Sequence, residues 1–215
     1  MWKMILKTTE FSFDSSVPRG RAIGRQRGTD DIQIGLPSWK RIVQRPTSSY
    51  EESDLEGSKK LIEAMSRTIG HEYTHIATTE EVMAERKKAY EMISSAFKSG
   101  GDTTEGWEKY AVTNFMDEVM ARSAHGEQQM RVFLNKSFLN YAKVIIAIVG
   151  IMIYNDVTGE EAQLQRTTTG AAAPISNYID VNKVEGMQDL IDKGEDVVTR
   201  KMTELASKYK EKLGI

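Results

Sequence analysis

Apolar positions keep a helical rhythm over most of this chain. Leu55, Leu61, Met65, Ile69 and Ile76 recur near helical spacing, which predicts a helix over about 58–77. Thr78-Thr79-Glu80-Glu81 then reads as a new start, because a Thr hydroxyl with Glu three residues on can satisfy free amides at a helix N-terminus. A second helix follows over about 79–98. The glycine-containing linker 99–106 ends it, a third helix occupies about 107–124, and Gly126 kinks or ends that one. Residues 128–156 read as one long helix. Its second half, 144–153, is apolar nearly all round, the mark of a central core helix. A loop over 167–174 precedes one or two amphipathic closing helices within 180–213.

The first 53 residues break this rhythm. They hold three of the 4 prolines together with several glycines and serines, so they read as an extended arm with short strands at best, around 32–34 and 40–43. The expected organisation is an arm over 1–53 and a domain over 54–215. The fold class is mainly α, and a small N-terminal sheet would make it α+β. Neither a repeat nor a βαβ pattern is visible. Trp2-Lys-Met-Ile-Leu-Lys7 and Trp39-Lys-Arg-Ile-Val-Gln-Arg45 read either as docking peptides or as tethers onto the chain's own core.

Composition narrows the chemistry more than the fold. With 29 basic against 31 acidic residues, nothing in the overall charge calls for nucleic acid or an anionic membrane, and the basic stretch 19–27 lacks interleaved aromatics. The apolar run 144–153 is about half the roughly 20 residues needed to cross a bilayer, and the opening apolar stretch is too short for a secretory signal. The expectation is a cytoplasmic chain with no membrane partner. The cysteine count of 0 removes thiolate sites and disulfides, so a tightly held transition metal must rely on histidine and carboxylate.

The 3 histidines are therefore informative, and two of them stand in His71-Glu72-Tyr73-Thr74-His75. Residues four apart on a helix lie about 40° apart around the axis, so both imidazoles face one point and form a metal clamp. Glu72 sits between the two directions, close enough to hold a water without being forced to ligate. This run matches the HExxH motif and resembles the zincin metallopeptidases. A catalytic zinc needs three protein ligands and an open position, whereas structural zinc is usually closed by four, commonly with cysteine.

The candidates for the third ligand lie downstream. Glu81, six residues after His75, falls where one zincin branch has a histidine, but the turn there needs glycine and the chain has Thr78; a capping role also explains Glu81. Glu118, within Asn114-Phe-Met-Asp-Glu-Val-Met-Ala-Arg-Ser-Ala124, resembles the gluzincin branch, in which a second helix supplies Glu in a context such as Glu-x-x-Ala-Arg; Glu118, Ala121 and Arg122 match it. Asp117 and Glu127 remain alternatives. Glu118, Arg122 and His125 fall at i, i+4 and i+7 of one helix.

The resemblance covers about residues 58–130 and implies a compact zincin-like helical domain with Zn2+ on His71, His75 and Glu118. It further implies Glu72 as general base, Arg122 or His125 as stabiliser of an oxyanion, and a protein or peptide as substrate. Arg122 could instead pair with Glu118 or Asp117, and His125 could simply end the helix. Zincins usually carry a sheet ahead of the first motif helix, and the strands here are weakly marked. The competing reading is a non-catalytic assembly protein that keeps such a zinc site as a staple. The opening residues are similar in style to small proteins of tailed phages, which implies a viral or microbial intracellular setting, in host cytoplasm or virion.

Overall fold

A computed structural model describes residues 11–14, 21–23, 31–35, 66–67, 69–164 and 173–215, and the protein they form is mainly α. The chain divides into two compact units, Met1–Glu80 with Glu118–Glu127 and Glu81–Asp117 with Gln128–Ile215.

The first unit contains three short strands and the helical residues 69–77 (α1), with residues 66–67 also helical. Strands β1 (Phe11–Asp14), β2 (Arg21–Ile23) and β3 (Asp31–Gly35) form a sheet in the order β1-β3-β2. β1 runs parallel to β3 with Phe11 opposite Ile32, and β2 runs antiparallel to β3 with Ala22 opposite Ile32. The strand expected around 32–34 is thus β3, whereas the one expected at 40–43 lies outside the described residues, as do 58–65 of the first predicted helix.

Downstream helices follow the apolar rhythm closely: α2 is Thr79–Ser99 and α3 is Thr104–His125. Gly126, at φ 101°, ends α3 with its N–H on the Arg122 carbonyl at 3.2 Å. A positive φ suits glycine because it has no Cβ to clash. The single long helix expected over 128–156 is three pieces: α4 (Glu127–Val132), a π-helical turn (Phe133–Ser137) and α5 (Phe138–Thr158). The inserted π turn shifts the helical phase, which a pattern of apolar residues with no Gly or Pro does not reveal. Short 3-10 turns at Ile175–Asn177 and Val181–Lys183 lead to the closing helix α6 (Met187–Leu213).

In the second unit, α5 is the core helix the sequence expects, with Ile145, Ile146, Val149, Ile151, Ile153 and Tyr154 all buried. Residues 127–158 as a whole are long and apolar enough to cross a bilayer, and 56% of the most apolar window is buried inside the protein, as in a core helix. α6 buries Met187, Leu190, Ile191, Gly194, Val197, Val198 and Met202, a stripe at i, i+3, i+4 and i+7. Two glycines let helices approach closely. A Cβ on Gly150 of α5 would lie 2.6 Å from Ile191 Cδ1, and one on Gly194 of α6 would lie 2.7 Å from Cζ2 of the fully buried Trp107.

Candidate metal centre

The first unit brings together the last turns of α1 and the C-terminal part of α3. Local hydrogen bonding holds the end of α1. The Thr74 hydroxyl donates to the Gly70 carbonyl at 2.9 Å, that of Thr78 to the Thr74 carbonyl at 3.0 Å, and that of Thr79 to the His75 carbonyl at 2.7 Å. The Thr74 carbonyl also accepts the Thr78 backbone N–H at 3.1 Å, so these hydroxyls bond back onto the helix four residues earlier, a common alternative for Thr near a helix end. The threonines expected to open α2 thus serve the end of α1.

Packing of small residues sets the distance between the two segments. A Cβ on Gly70 would meet Ala124 Cβ at 3.6 Å, and Ala121 is fully buried. The close approach of Gly70 and Ala124 lies less than two turns along α3 from Glu118, which gives that carboxylate a short reach to the histidines. A glycine inside a helical pattern, directly before the first histidine, was the available signal for this close approach.

His71 and His75 stand one turn apart with ring centroids 4.8 Å from each other and planes at 85°. His75 and Glu118 are both buried, and His75 Nε2 lies 3.6 Å from Glu118 Oε2. One ligand atom from each of His71, His75 and Glu118 lies within 4.8 Å of the other two. Among the described residues this is the group of three side chains that could hold a metal ion. The other oxygen of Glu118, Oε1, accepts from Arg122 Nε at 2.6 Å. Glu72, between the histidines on α1, is partly buried.

The remaining candidates have other surroundings. Asp117, adjacent in sequence to Glu118, belongs to the second unit, where it is fully buried and accepts from Arg86 Nη2 at 2.9 Å. Nothing in the sequence marks Arg86 as its partner, 31 positions away. Glu81 and Glu127 are exposed. Arg122, expected at an oxyanion, has its Nε on Glu118, the ion pair weighed as the alternative. His125 is the last residue of α3, and its side chain lies outside the described residues.

Compared with known proteins, the chain matches no family model, no curated protein and no solved structure.

The donor set suits zinc. Two imidazoles and a carboxylate are the ligand types of catalytic zinc sites, and ligands about 2.0–2.1 Å from a tetrahedral ion stand about 3.3 Å from one another. The 3.6 Å between His75 Nε2 and Glu118 Oε2 is near that value, and the three donor atoms lie within 4.8 Å of one another. Three protein donors leave a tetrahedral ion one position for water or substrate.

Proposed function

We propose that this protein is a zinc-dependent metallopeptidase, with His71, His75 and Glu118 holding the metal and Glu72 acting as general base. The observation that carries the reading is the convergence of these three donors, two from the HExxH run and one from α3, within 4.8 Å. A mere helix end with two histidines would not need a buried carboxylate from a helix remote in sequence. A purely structural site would not need Glu72.

Zinc held by these residues would lower the pKa of a water toward 7 and polarise a scissile carbonyl. The chain's own part is positioning and proton transfer. His71 and His75 are set by the helical spacing, and Glu118 closes the donor set from the side. Glu72, one residue after the first histidine, takes a proton from the attacking water and delivers it to the leaving amine, so that one group serves as base and then as acid. A peptide bond is the fitting substrate because its amine must be protonated to leave.

The test is hydrolysis of a mixed fluorogenic peptide library by wild type and Glu72→Gln, each with its zinc content determined. Wild type is expected to be active, to lose activity to a chelator and to regain it with zinc. Glu72→Gln is expected to keep its zinc and lose activity by about 10²–10⁴-fold. Activity surviving in Glu72→Gln would refute the general-base assignment.

A further inference from the structure

The two oxygens of Glu118 have different neighbours. Oε1 accepts from Arg122 Nε at 2.6 Å, while Oε2 faces His75 Nε2 at 3.6 Å. The carboxylate is mostly desolvated, with the Glu118 side chain 10% and that of Arg122 21% exposed. A carboxylate on a flexible Glu stem rotates freely about its last bond unless something holds it. A charge-assisted bond from a guanidinium is among the stronger neighbours available for that purpose.

We infer that Arg122 is a positioning residue for the metal centre: it occupies Oε1 and thereby presents Oε2 as the single ligating oxygen of Glu118. This rests on the proposed metal site and deepens it. The helix makes the arrangement self-contained, because Glu118 and Arg122 are four residues apart on α3 and neighbours on its surface. Ala121, between them in sequence, is fully buried, and a Cβ on Gly70 of α1 would lie 3.6 Å from Ala124 Cβ of α3, so the two helices pack closely beside this pair. An ordinary surface pair at this spacing would be exposed at both ends and indifferent to which oxygen it used. Here one end is buried and the second oxygen stands toward a histidine. Groups that orient a metal ligand in this way commonly cost 10–100-fold in metal affinity when removed.

The test is zinc affinity, measured with a competing chromophoric chelator, in wild type, Arg122→Ala, Arg122→Lys, Glu118→Ala and the double variant Glu118→Ala/Arg122→Ala. Far-UV circular dichroism and the metal-free melting temperature are recorded for each. The expected result is a dissociation constant raised about 10–100-fold in Arg122→Ala with the metal-free fold unchanged. Arg122→Lys should lose less, since lysine keeps the charge but not the planar fork. In the Glu118→Ala background, removing Arg122 should change the affinity by less than about threefold, because its effect passes through Glu118. If Arg122→Ala does not fold, Arg122→Lys and Arg122→Gln carry the comparison, with the glutamine variant the weaker binder. A wild type that binds no zinc overturns the metal site and this inference together. A wild type that binds zinc, with Arg122 variants within about threefold of it or with an undiminished loss in the Glu118→Ala background, overturns the role of Arg122 alone.

Discussion

Two neighbouring carboxylates on α3 give opposite expectations when removed. Asp117 is fully buried against Arg86, whose own side chain is only 15% exposed. Asp117→Ala leaves that guanidinium largely desolvated with its charged partner gone. Breaking a buried pair from one side costs about 3–5 kcal/mol, and the residual exposure of Arg86 lets it reach some water, so about 3 kcal/mol is expected. With a urea slope of about 2 kcal/mol/M, the midpoint of unfolding falls by about 1.5 M. Glu118→Ala removes the i, i+4 pair with the partly exposed Arg122 and the 3.6 Å approach to His75. It also relieves the cost of keeping a carboxylate desolvated and adds a good helix former, so the metal-free protein should lose about 1 kcal/mol, clearly less than Asp117→Ala. Urea unfolding in the presence of chelator, followed by circular dichroism, measures both. Zinc affinity, measured well below the transition, should show the reverse order, with Asp117→Ala near wild type and Glu118→Ala greatly weakened. An Asp117→Ala protein as stable as wild type, or one that is folded but no longer binds zinc, would refute this division of labour.

Other parts of the fold yield sharp expectations. Gly194→Ala places a Cβ 2.7 Å from Trp107 Cζ2, and overpacking of about 1–3 kcal/mol outweighs the roughly 1 kcal/mol gained in helix propensity; the net loss, read by thermal unfolding, should shrink in a Trp107→Phe background. Glu160 accepts from Lys183 at 2.8 Å and from the Tyr154 hydroxyl at 3.0 Å, and these bonds, that to Lys183 first, hold its carboxyl below its ordinary pKa of 4.5. A depressed carboxyl stabilises the fold above the unfolded pKa and loses that contribution as pH falls through the folded value. Stability should therefore decline below about pH 4.5, and Glu160→Gln should flatten that limb of a melting-temperature profile.

Helices were the most legible part of the sequence, because their stripes are long. α2 and α3 begin and end within a few residues of the expected positions, with Gly126 at the expected break. The division at 133–137 was hidden, since a π turn changes phase without changing composition. Thr78 stands at the expected boundary, since α2 begins at Thr79, and its hydroxyl donates to the carbonyls of Thr74 and His75 before it, a direction that sequence does not reveal. At the candidate metal centre, the spacing of His71 and His75 put both imidazoles on one face of α1, and the small Ala121 after Glu118 pointed to a close-packed helix. Sequence left Glu118 and Asp117 both open as ligands, and the partner that distinguishes Asp117, Arg86, has no local signature. The two carboxylates belong to different units of the chain, a distinction that helical phase alone leaves open.

The most direct measurement is the zinc content of purified, dialysed protein by atomic emission, for wild type, His75→Ala, Glu118→Ala and Glu72→Gln. The metal site as described predicts one zinc per chain in wild type and in Glu72→Gln, and loss of most of it in His75→Ala and Glu118→Ala. Wild type that takes up no zinc, or Glu118→Ala that retains a full equivalent, would contradict it.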